Sequence, residues 1–151
     1  MKITDAVIAE ERSRLLDDRS HYVSLINESR DALGKHFDED VGHVDEAGFV
    51  EAVDHVFDDR GRAVNIAGLC RILRALDVPN DYPGFVVDEM LGRKLAATIA
   101  GGEPLTTLAE ATFHFVDIRY DDPSNGAGRD DLDAGIAAGF QTILPGWSWR
   151  D

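Results

Sequence analysis

The chain has 151 residues, 44% of them apolar, one cysteine and a formal net charge of −14. A single domain of that length buries roughly 70% of its unfolded surface and needs no disulfide or structural metal to fold. Its charge repels nucleic acid and anionic membranes and attracts basic protein surfaces and cations, which sets aside direct nucleic-acid binding.

The opening MKITDAVIAEERSR has no apolar leader, and no window approaches the ~20 apolar residues that span a bilayer. The expectation is a cytoplasmic protein with no membrane partner. Cys70 is the lone cysteine, so it forms no internal disulfide and reads as a packing residue in a reducing interior. Acids outnumber bases 16 to 7 over residues 1–60 and 9 to 3 over residues 101–151, against 4 to 5 between them. The middle segment is the neutral part.

Thr4 suits a helix N-cap and Asp5 an acidic first turn, and the apolar spacing predicts helix from there to about Lys35. Ile8, Leu15, Tyr22, Ile26 and Leu33 form one stripe. Arg12 and Arg19 interrupt that stripe, which argues against a simple coiled-coil seam, and LLDDRSH is a point where the segment divides. After the acidic turn HFDEDVGH, Asp45 caps a second helix through about Phe57. DDRGR reads as a turn, Asn65 as the cap of IAGLCRILRALDV, and Pro79 as its end. Pro83 fits a first turn before FVVDEMLGRKLAATIA, which stops at Gly101-Gly102.

Thr106 or Thr107 opens LAEATFHFVDIRY, whose second half alternates like a strand but has no strand to pair with, so helix is expected. DDPSNGAGRDD is a loop, and Asp130 or Asp131 caps LDAGIAAGFQTIL. Trp147 and Trp149 follow, read as closing the core from the C-terminus rather than as partner anchors. The predicted architecture is one all-α domain over 1–151, a bundle of five or six helices with 1–3 and 145–151 as terminal segments and residues 65–100 near the centre.

Two motifs fail on spacing or charge. With Gly42 as the turn glycine of an EF-hand, loop positions 1, 3, 5 and 12 fall on Phe37, Glu39, Val41 and Gly48, so the calcium ligands are missing. The helix-turn-helix rhythm of residues 65–95 would put Gly84-Phe85-Val86-Val87-Asp88-Glu89 where a recognition helix needs basic or amide side chains.

VEAVDHVFDD carries the densest polar face. Glu51, Asp54 and Asp58 lie within roughly 60° of arc, with His55 at the edge and apolar residues opposite. One helical region earlier, Glu28-x-x-Asp31 sets two more carboxylates a turn apart. Such oxygens suit magnesium, which keeps several of its waters. The two pairs resemble the E-x-x-E and E-x-x-D pairs of the all-α nucleoside triphosphate pyrophosphohydrolases, with Asp31 standing where the family's first pair ends in Glu. What the resemblance implies is a magnesium-dependent nucleotide hydrolase with Glu28, Asp31, Glu51 and Asp54 on the metal; Lys94 would then meet a phosphate.

The leading expectation rests on charge instead. It is a non-catalytic acidic binding protein, of the inhibitor or immunity kind, whose residues Asp38, Glu39, Asp40, Glu51, Asp54, Asp58 and Asp59 engage a basic partner surface, with no cofactor. A third reading is a structural or assembly subunit, a homodimer through the first helix.

Overall fold

The computed structural model describes residues 1–76, 87–119 and 127–148. Among these residues there are seven helices and no strand: α1 (Asp5–Asp17), α2 (Arg19–His36), α3 (Glu46–Asp58), α4 (Arg60–Ala75), α5 (Val87–Ala100), α6 (Leu105–Arg119) and α7 (Ala127–Ile143). The all-α expectation therefore holds, and the count exceeds the expected five or six. No helix among the described residues is long and apolar enough to cross a membrane. The ends at Pro79 and Pro83, Trp149 and residues 121–126 of the expected DDPSNGAGRDD loop lie outside the described residues; the rest of that stretch, 127–131, is already helical in α7, so neither Asp130 nor Asp131 is its cap.

Local chemistry explains the helix boundaries. Thr4 Oγ1 accepts from Val7 N and Asp45 Oδ1 from Gly48 N, so α1 and α3 start at the expected caps. The division within LLDDRSH falls at Asp18, whose backbone N–H closes α1 onto Arg14. Arg12 and Arg19, the residues that spoil a coiled-coil seam, tie this hairpin to α3 through Asp54 and Glu46. The DDRGR turn is a correction. Asp59 accepts from Arg62 N and starts α4 at once, so Asn65 is interior to the helix and not its cap. Residues 113–119 are helical, as part of α6.

A second correction concerns the centre. The element enclosed most completely is α7, buried almost without interruption from Asp131 to Thr142, rather than the neutral stretch 65–100. Its sequence, AGRDDLDAGIAAGFQTI, is rich in alanine and glycine, and that permits close approach from several sides. A Cβ on Gly139 would sit 2.8 Å from Ile99, and one on Gly135 2.7 Å from the Gly92 carbonyl, so α5 crosses α7 nearly backbone to backbone. Phe140 then stacks edge-on against Phe49 of α3, at 5.2 Å between centroids.

The tightest contact is at Gly128, where a Cβ would lie 2.1 Å from the Leu73 carbonyl and 2.7 Å from that of Leu76. Neither obstacle is a flexible side chain. Gly128→Ala is expected to lower stability by about 3 kcal/mol, roughly 10 °C of melting temperature. Gly42→Ala, where a Cβ meets nothing within 4 Å, is the control and should move it within about 0.5 kcal/mol. Equal melting shifts for the two would refute this packing account.

Candidate functional site

The polar face of VEAVDHVFDD does not act as one set. Glu51 and His55 are exposed on the rim of a groove of about 770 Å³ between α3, the start of α4, the α5–α6 corner and the end of α7. Asp54 turns the other way and is held by Arg12. Asp58 is exposed, and Asp59 caps α4.

The other acids named from the sequence occupy different places. Asp38, Glu39 and Asp40 border a second cavity with Asp31 and Lys35. Asp38 adopts φ 51°, which ends α2 and lets Glu39 N reach the Gly34 carbonyl at 2.8 Å. Glu39 Oε1 accepts from Ser148 N and so fastens the C-terminal segment. Glu28 and Asp31 border a cavity of about 910 Å³ with Lys35, His36, Phe115 and Arg119, and Asp31 also pairs with His43 at 2.8 Å. Lys94 borders a smaller cavity with Arg62, Glu103 and Glu110.

The two carboxylate pairs thus face different surroundings. Among the described residues, no three of His, Cys, Asp and Glu stand where they would share a metal ion. The groove floor is apolar instead, formed by Ala52, Ala100, Leu105, Ile143 and Leu144. Among the described residues the one guanidinium beside it, Arg62, is turned onto the carbonyls of Thr98 and Ile99, at the C-terminal end of α5. Around the floor the exposed polar residues are Asp45 and Glu51 together with His43 and His55.

Three buried charged sites escaped the sequence reading. Arg30 is wholly enclosed and, among the described residues, meets no carboxylate; its guanidinium donates to the carbonyls of Gly42, Gln141, Leu144 and Pro145 and lies 5.9 Å from the Trp147 ring centroid. Burial pushes its pKa down to about 10, so it remains a cation at neutral pH. Trp147 is fully buried beside Leu33 and Val41, as a core-closing residue should be, and its Nε1 donates to Gln141.

Glu11, also wholly enclosed, is gripped by Arg71 and Arg74 of α4. Behind them Cys70 has its thiol pushed up to about 12, first by burial and then by Glu11, so it is an unreactive packing group. Third, Asp131 of α7 is buried and faces Asp88 of α5 and Asp117 of α6. Burial and these two acids raise its pKa to about 10. Its Oδ1 meets no hydrogen-bond partner among the described residues, and a carboxyl that keeps its proton suits this setting.

The fold and surface define an acidic, all-helical domain with an apolar groove under an acidic rim. Over residues 1–151 the chain matches the model of one family, the Domain of unknown function (DUF7984), and it belongs to that family. No curated protein and no solved structure matches it.

Proposed function

We propose that the protein is a non-catalytic acidic binding protein of the cytoplasm, of the inhibitor or immunity kind, that engages a basic surface on a partner protein. The observation that carries this reading is where the positive charge goes. Arg12, Arg14, Arg19, Arg60, Arg71, Arg74, Arg93 and Arg129 are paired with the protein's own carboxylates, and Arg30 and Arg62 with its backbone carbonyls. Among the described residues, Glu28, Asp38, Asp40, Glu51 and Asp58 meet no cation. Most of the described arginines are thus engaged within the fold, while these five carboxylates are exposed to solvent.

A surface of this kind attracts a basic partner at long range and speeds its docking. A nucleotide hydrolase would draw Glu28, Asp31, Glu51 and Asp54 toward one metal, and their separate surroundings favour binding over hydrolysis. The test is affinity capture from native extract with the wild-type chain and with the double variant Glu51→Lys/Asp58→Lys. The expected result is a basic partner held by the wild type and lost or at least tenfold depleted on the variant, since like charge at a docking surface raises the energy of the complex by more than about 1.4 kcal/mol. Equal recovery on both baits would overturn the proposal for this face.

A further inference from the structure

We infer that the groove beside α3 receives a cationic peptide segment that carries a bulky apolar anchor, with the anchor on the floor and its flanking Lys or Arg side chains against Asp45 and Glu51. This deepens the acidic-surface reading and rests on it. The groove, of about 770 Å³, falls in the range of cavities that enclose a compact ligand. Its floor, Ala52 from the middle of α3 with Ala100, Leu105, Ile143 and Leu144 from the ends of α5, α6 and α7, offers no hydrogen-bonding side chain to a polar guest. An apolar group is what such a floor desolvates well.

The rim selects the charge around that anchor. Asp45 Oδ1 accepts from Gly48 N, and the side chain is exposed at the groove edge. Glu51 is exposed one and a half turns further along α3 and meets no cation among the described residues. Arg62, the one guanidinium among the described lining residues, turns Nε and one Nη onto the α5 carbonyls, and the two rim carboxylates outnumber it. An acidic or neutral apolar segment would fill the floor equally well but lose the rim, and a purely cationic one would lose the floor.

The experiment uses the full chain and two synthetic probes of equal length: an amphipathic peptide of lysine and leucine with the leucines at helical spacing, and oligolysine. Calorimetry is expected to show the lysine–leucine peptide binding at least about tenfold more tightly, the effect of burying one leucine-sized side chain. Ala52→Trp, which fills the floor, should remove that advantage and leave oligolysine binding unchanged. Methyl NMR of the wild type provides a readout free of any folding defect: Leu105, Ile143 and Leu144 should shift and saturate with the lysine–leucine peptide. Equal affinity for both probes, or methyl shifts confined to other surfaces, would overturn the groove assignment while oligolysine binding kept the broader reading standing. Binding of neither probe would overturn both.

Discussion

Asp131→Asn is expected to raise the melting temperature at pH 8 by roughly 5 °C, or about 2 kcal/mol, and to flatten its dependence on pH. Asp131 is buried against Asp88 and Asp117, with a pKa raised from the ordinary 3.8 to about 10. The folded chain therefore holds a proton that the unfolded chain has released above about pH 4. The associated stability is fully present in acid and declines as pH rises toward 10, with a slope of about 1.4 kcal/mol per pH unit for one proton. An amide has the same shape, donates to both neighbouring carboxylates and takes up no proton on folding. Thermal melts from pH 5 to about pH 9 check this. A variant less stable than the wild type at pH 8, with an unchanged slope, would show that Asp131 is ionised in the fold.

The opposite effect is expected at Arg30. Arg30→Met keeps the length and apolar stem of the side chain and removes the donors that occupy the Gly42, Gln141, Leu144 and Pro145 carbonyls. The carbonyls of Gln141 and Leu144 come from the last turn of α7 and the residue after it, and both bonds are buried, so the substitution removes a cation from the negative end of that helix. The Gln141 carbonyl keeps Trp147 Nε1 as a donor, and each of the other orphaned acceptors costs about 1–3 kcal/mol, which puts the total loss at roughly 3–5 kcal/mol. Trp147, whose ring lies beside the guanidinium and whose Nε1 is bonded to Gln141, should become exposed in the same step. Denaturant unfolding followed by tryptophan fluorescence measures both. A loss below about 1 kcal/mol with an unchanged emission maximum would mean that water replaces the guanidinium at no expense to the fold.

How much of this was readable beforehand depends on the range of the interaction. The caps at Thr4 and Asp45, the break at Asp18 and the helical state of residues 113–119 follow from neighbours a few residues away, and the sequence reading found them. Asp59 was missed as a cap because DDRGR also looks like a turn, and two acids beside a glycine satisfy either pattern. Arg30 did leave a trace. It falls one turn after Ile26 and just before Leu33, on the buried stripe of α2, so its place in the helical period pointed inward even though its charge pointed outward. Asp131 left none. Its partners are 43 and 14 residues away on other helices, and in DDPSNGAGRDDLD it reads as an ordinary capping acid.

The same limit governs the surface. Glu51, Asp54 and Asp58 share an arc of α3, and from the sequence they form one acidic patch. In the structure Arg12 reaches across from α1 and takes Asp54 out of it. Conversely, the groove under Glu51 is built from the ends of α5 and α7, whose contribution no local pattern announces. The functional reading therefore shifts from a uniformly charged face to an apolar floor with a charged edge.

The acidic-surface account meets its most direct test in the rate at which the captured basic partner associates, measured by stopped flow from low salt to about 0.5 M sodium chloride. Charge steering predicts a fall of at least tenfold across that range, with the dissociation rate changing far less, and a shallower fall for Glu51→Lys/Asp58→Lys. An association rate that is flat in salt, and equal for the wild type and the double variant, would contradict the claim that this negative surface is what the partner reads.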